Sequence, residues 1–174
     1  MGDINKAVSF MIDIANDNTH GYDQLHRNSP DYDCSSLVAT ALYIAGFNIN
    51  PHSWTGNLEQ QLIHCGFKKC KPPYKAGDIH LNYKHHVCMQ ISDTQIAQAS
   101  INERGTTSGG KTGDQTGREI YITDYYIYKY GWDAHYRYPD TLQSELTSVD
   151  NVKEISGIID EWYKQSLYMG YTNL

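Results

Sequence analysis

Apolar residues recur at helical spacing through the first third of the chain and give way to short β-branched and aromatic runs after residue 72. Ile4, Ala7, Val8, Met11, Ile14 and Ala15 follow Asp3, a good helix-capping residue, so the spacing predicts an amphipathic helix over 4–16. After a polar loop from Asn16 to Tyr32, the residues Cys34, Leu37, Val38, Ala41, Leu42 and Ala45 repeat every three or four positions. They stop at Gly46, where a glycine commonly ends a helix. Leu58, Leu62 and Ile63 predict a shorter helix over 57–65, and Pro72-Pro73 then breaks the texture. Strands are expected at 78–82, 86–91, 95–101, 118–123 and 134–138, separated by turn residues. Helices first and an antiparallel sheet second make an α+β class. The stretch 105–117 is too polar and glycine-rich for a regular element, and loops of that length inside a domain are usually functional or mobile. Beyond Pro139, helical spacing returns in Val149, Val152, Ile155, Ile159, Trp162 and Tyr163. Two regions are expected: a domain over 1–139, and a helical extension or linker over 140–174 that packs on it, self-associates or joins a second module.

Composition narrows the partners. The 174 residues carry 14 Lys+Arg against 20 Asp+Glu, a net formal charge of −6, with no basic stripe to displace counterions from a polyphosphate. Nucleic acid is not an expected partner. At 40% hydrophobic and 12% aromatic the chain is folded rather than disordered. No run approaches the roughly 20 apolar residues of a membrane span. Met1 to Lys6 lacks the basic and apolar segments of a signal peptide, so synthesis in the cytoplasm and no membrane partner are expected. Four cysteines in this length do not read as a disulfide framework, and each is weighed as a thiol, a metal ligand or a packing residue.

Cys34 falls in the first turn of its helix, directly after Asp33 and before Ser35, where unpaired backbone N–H groups favour a thiolate. Position alone favours reading it as a small core residue. A catalytic role needs a histidine to take the thiol proton, and His86, beside His85 at the start of a strand, offers one. Alternation puts His86, Cys88 and Gln90 on one face of that strand. If strands 86–91 and 95–101 pair through a three-residue loop, Ser92-Asp93-Thr94, Gln98 lies across from Cys88 and diagonal to His86, able to hold the ring. A two-residue turn sends it to the other face. Gln is neutral, so the reading expects the thiolate to balance the imidazolium as an ion pair.

These residues carry a resemblance. Tyr22-Asp23-Gln24, Pro30-Asp31-Tyr32-Asp33-Cys34-Ser35-Ser36-Leu37-Val38, Gly77-Asp78-Ile79, His86-Val87 and Ala97-Gln98-Ala99-Ser100 are together similar to the NlpC/P60 superfamily of papain-like cysteine peptidases. The stretch Gly109 to Ile120 narrows the likeness to bacteriophage-type peptidoglycan hydrolases, over roughly residues 4–138. The resemblance implies a papain-like fold with N-terminal helices packed on an antiparallel sheet. It implies Cys34 as nucleophile, His86 as general base and then acid, Gln98 in a slot that more often holds His or Asn, and Tyr22 with a hydroxyl near the oxyanion site. Asp33 and Ser35 flank the nucleophile as oxyanion or substrate residues. The implied partner is bacterial peptidoglycan, cut at the N-acetylmuramoyl-L-alanine amide or within the stem peptide, by a phage lysin made in the host cytoplasm and acting at the wall. Asp23-Gln24-Leu25 replaces the Trp-Gly-Gly that often follows the family tyrosine, which implies a differently shaped cleft.

The rivals have weaker signals. His64, Cys65, Cys70, His85, His86 and Cys88 are zinc-ligand types, but Cys65 and Cys70 are spaced too widely for a knuckle, and the aspartates lack a calcium-loop pattern, so no metal and no cofactor are expected. Gly105 to Thr112 satisfies the letters of a nucleotide-binding P-loop, yet Gly113 and Gly117 oppose the helix that motif needs. A non-catalytic wall-binding or phage structural module of the same fold is the alternative function. Acyl transfer to an amine in place of water stays open.

Overall fold

Asp3 and Asp33 start the first two helices by the same device. In the computed structural model, which describes residues 2–139, helix α1 spans Ile4–Ala15 and the Asp3 carboxylate accepts the Asn5 N–H at 3.0 Å. Helix α2 spans Cys34–Ile44; Asp33 Oδ1 accepts the N–H groups of Ser35 (2.9 Å) and Ser36 (2.7 Å), and Ser36 Oγ accepts the Asp33 N–H at 3.0 Å. Such a reciprocal cap is worth about 1 kcal/mol and fixes where the helix begins. Helix α3 spans Thr55–His64, two residues earlier than expected, because Asn57 Oδ1 accepts the Trp54 N–H and starts the turn there. The apolar stripes are buried as patterned, with Ala7, Met11, Leu37, Val38, Ala41, Leu42, Leu58 and Leu62 fully inaccessible. The tail helix and the interaction roles expected of 140–174 lie outside the described residues.

Six antiparallel strands follow: β1 Lys68–Lys69, β2 Ile79–Asn82, β3 His86–Gln90, β4 Gln95–Ala99, β5 Ile120–Asp124 and β6 Ala134–Arg137, in the spatial order β1-β6-β2-β3-β4-β5. Strand β1 has no hydrophobic signature to announce it; two exposed lysines pair through backbone with Arg137 and Tyr136. Strand β5 begins at Ile120 rather than 118. Asp114 Oδ2 accepts the N–H groups of Glu119 (2.9 Å) and Ile120 (3.2 Å), and Asp114 Oδ1 accepts that of Arg118 (3.2 Å), which holds the chain in its loop until that point. Between β3 and β4, Met89 lies opposite Ala97 and Gln90 opposite Ile96, the register that a three-residue loop requires.

Alternation divides the sheet into two unlike faces. Ile79, Leu81, Val87, Met89, Ala97 and Ala99, all fully buried, form the face covered by α1 and α2. The other face presents His80, His86, Gln90, Gln98 and Tyr121, and the segment 125–132 lies over it: Tyr125 packs 4.8 Å from the His80 ring and Trp132 5.9 Å from the His86 ring. Among the described residues no helix is long and apolar enough to cross a membrane.

Candidate active site

The cap that starts α2 also places Cys34 at its first position, against the beginning of β3. The backbone N–H groups of Val87 and Ser35 act on the thiol and pull its pKa down, so the sulfur lies near the residue that follows His86. No hydrogen bond joins the sulfur to the imidazole among the described residues. His86 itself donates from Nε2 to Gln98 Oε1 at 2.7 Å, which fixes the neutral tautomer with its lone pair on Nδ1, and Nδ1 makes no hydrogen bond to another described residue. Gln98 is held in turn from both ends: Tyr126 Oη donates to Oε1 at 2.8 Å, and Nε2 donates to Tyr121 Oη at 2.9 Å. Stacking of the His86 ring on Tyr128 (5.1 Å, 31°) and Trp132 (5.9 Å, 26°) removes its remaining freedom. The indole of Trp132 donates to the Tyr126 carbonyl at 3.0 Å, which secures the covering segment.

The protonation state differs from the ion pair that the helix N-terminus suggests. Burial, reinforced by the Asp33 carboxylate, pushes the Cys34 thiol up to about 12, outweighing the Val87 and Ser35 N–H groups and the Arg27 guanidinium. Burial also pushes His86 below its ordinary value, opposed by the Gln98 bond. At neutral pH the resting groups are a thiol and a neutral imidazole, because removal from water costs each charged form more than these neighbours return.

Tyr22 is buried, and its backbone N–H is held by Glu119 Oε2 at 3.0 Å. Its hydroxyl accepts from Gln24 Nε2 at 3.0 Å, leaving the phenolic hydrogen free to donate. Burial, then the nearby Cys34 and Asp33 charges, raise its pKa, which keeps the phenol a donor. Asp33 and Ser35 are committed to structure: Ser35 Oγ donates to Asp33 Oδ1 at 2.9 Å and accepts from Arg27 Nη2 at 3.1 Å, and Arg27 Nε lies 3.2 Å from Asp33 Oδ2 without hydrogen-bond alignment.

The glycine-rich stretch serves this site from behind. Asp31 Oδ1 accepts the N–H groups of both Gly21 and Gly113 at 2.9 Å, and a side chain at Gly21 would collide with the Gly113 carbonyl. Gly113 sits at φ 90°, in the left-handed region that glycine tolerates. Glu119, fully buried, spans the junction by accepting from Tyr22 and, through Oε1, from Gln115 N–H at 3.2 Å; burial raises its pKa. No helix follows Gly110-Lys111-Thr112, so the phosphate-cradling geometry of a P-loop is missing.

Two adjoining cavities open here. One of about 690 Å³ is lined by Tyr22, His86, Tyr126 and Tyr128, and one of about 210 Å³ by Cys34, Arg27 and Trp54; Gln24, Lys84 and His85 line both. Cys34 thus lines the smaller cavity and His86 and Tyr22 the larger, while Gln98 stands behind His86 and lines neither. Sequence reasoning missed Tyr121, Tyr126, Trp132, Arg27 and Glu119. Strand alternation could have found Tyr121, which lies opposite Gln98, but the others sit in irregular segments with no periodic signal.

The family model described as endolysin-like domain, ELLD, matches residues 96–156, just over a third of the chain, a stretch that contains Gln98, Glu119 and Tyr126 and runs past the boundary expected at 139. The match supports an endolysin-type cell-wall lytic domain, with peptidoglycan as a consistent target. No curated protein matches the chain.

Proposed function

We propose that the chain is a phage-lysin-type hydrolase whose domain over 1–139, of the papain-like NlpC/P60 kind, cleaves an amide bond in the peptide part of peptidoglycan. The observation that carries this reading is the 2.7 Å bond from His86 to Gln98, which leaves the Nδ1 lone pair without a described partner, one residue before Val87, whose N–H acts on the Cys34 thiol. With both groups neutral at rest, His86 takes the thiol proton as the sulfur attacks the carbonyl carbon, so that no charged pair has to persist in the unliganded cleft. The tetrahedral oxyanion accepts from the Tyr22 hydroxyl and the Cys34 backbone N–H. Collapse expels the amine with the proton from His86, leaving a thioester, and a water that gives its proton to His86 releases the acid and the thiol.

Purified cell walls test this. Cys34→Ala is expected to abolish fragment release while keeping the thermal midpoint of the wild type, since alanine is a good first-turn residue; mass spectrometry of the wild-type fragments identifies the bond. Equal release by the variant removes the mechanism. Binding of walls by the wild type without any fragment release decides for a non-catalytic module, which the buried, protonated thiol would also suit.

A further inference from the structure

The chain carries a net formal charge of −6, yet the cleft that the hydrolase reading uses holds no free carboxylate. Its fully charged lining residues are Lys84 and Lys129 in the larger cavity and Lys84, Arg27 and Asp33 in the smaller, where Arg27 and Asp33 neutralise each other at 3.2 Å. Both lysines are exposed, and two cations on the concave face of an acidic protein focus a positive field over the cleft. Lys129 lies 5.0 Å over the Tyr130 ring, whereas Lys84 has no ion pair or ring partner among the described residues.

Lys84 also stands where the two cavities meet, on a turn that is pinned in place. Asn82 Oδ1 accepts the N–H groups of Lys84 (3.2 Å) and His85 (3.0 Å), and Asp133 Oδ2 accepts that of Tyr83 (2.8 Å). The lysine stem therefore leaves a fixed backbone two residues before His86, with only its ammonium group left to be satisfied. The rim around it is apolar, with Trp54 at the smaller cavity and Ile101 and Ile127 at the larger, all exposed. Two spaced cations within an apolar rim, rather than a continuous basic stripe, suit an acidic peptide with small alkyl neighbours better than a polyanion.

We propose that Lys84 is a specificity residue that pairs with a free carboxylate of the substrate peptide, close to the amide that Cys34 attacks. The proposal rests on the hydrolase reading and sharpens its substrate class. One preparation of soluble wall peptides, divided into a portion with free carboxylates and a portion with these converted to carboxamides, tests both on the full chain. Wild type is expected to show a kcat/KM about fivefold higher on the carboxylate form, a preference that shrinks as salt rises. Lys84→Met is expected to erase the preference by raising KM on the carboxylate form alone, and Lys84→Arg to restore it in part. Equal wild-type rates on the two forms, or an equal loss on both in Lys84→Met, overturn the carboxylate assignment and leave amide hydrolysis standing. Hydrolysis of neither form by wild type, or of both by Cys34→Ala, overturns the hydrolase reading and Lys84's role with it.

Discussion

Two His–Gln pairs lie on the same face of one sheet, joined by nearly the same bond: His86 to Gln98 at 2.7 Å and His80 to Gln90 at 2.8 Å. Their surroundings differ. His80 and Gln90 are fully buried, the second ring nitrogen of His80 is taken by His135 at 2.7 Å, and Gln90 is tied to the Ser92 carbonyl at 2.8 Å. Tyr74 and Tyr125 close over them. His86 keeps Nδ1 unbonded to any described residue and lines a cleft that Cys34 adjoins. A fixed tautomer is thus common to both pairs, and what separates a candidate base from a packing group is an unoccupied lone pair with access to a reacting atom.

The largest expected effect comes from removing each ring. His86→Ala should slow wall hydrolysis by about 1,000-fold or more with the fold retained, as loss of a general base does in comparable sites. His80→Ala should leave turnover of the folded protein within about threefold and cost about 2–4 kcal/mol in urea unfolding, from the cavity and the stranded His135 and Gln90 groups. Equal loss of turnover in two well-folded variants would erase the distinction between the pairs.

Acid should expose the same contrast through stability. Burial holds His80 at about 4 against an ordinary 6.5, and lowers His86 and His135 as well. Below pH 6.5 the unfolded chain takes up protons that the folded rings refuse, so stability is complete above 6.5 and is lost as pH falls towards about 4. His80 alone accounts for on the order of 3 kcal/mol of that loss. Unfolding free energies of wild type and His80→Gln across this range measure it; an unchanged slope in the variant would mean that His80 titrates normally.

A smaller effect separates the two glutamines. Gln98→Ala is expected to lower kcat by roughly 10- to 100-fold, less than His86→Ala, because Trp132 and Tyr128 still orient the ring while the carboxamide's hold on the tautomer is gone. Gln90→Ala should lower stability without changing kcat. A kcat loss in Gln90→Ala matching that of Gln98→Ala would place the functional histidine at position 80.

Much of this geometry was legible before any coordinates. Helical spacing marked α1 and α2, Asp3 marked the start of α1, and strand parity made the approach of Gln98 to His86 depend on a three-residue loop, the register that the sheet adopts. The remainder was hidden for physical reasons. The segment 125–132, which supplies Tyr126, Tyr128 and Trp132, has no period because its partners are rings and side-chain amides rather than a ladder. Burial and the Asp33 charge push the Cys34 thiol's pKa up against the pull of the helix terminus, and depth of burial is a tertiary property that the helix position does not carry. Lys68–Lys69 forms a strand only because β6 offers it an edge.

The abutment of Gly21 against Gly113 makes residues 18–32 and 105–119 a matched set. A chimera that replaces one stretch needs to replace both together, since even a methyl group at position 21 runs into the Gly113 carbonyl. Loop grafting is better confined to the outward tips near Gly105 and Gly109, where an added carbon meets no neighbouring atom, provided that glycine is kept at those two positive-φ positions.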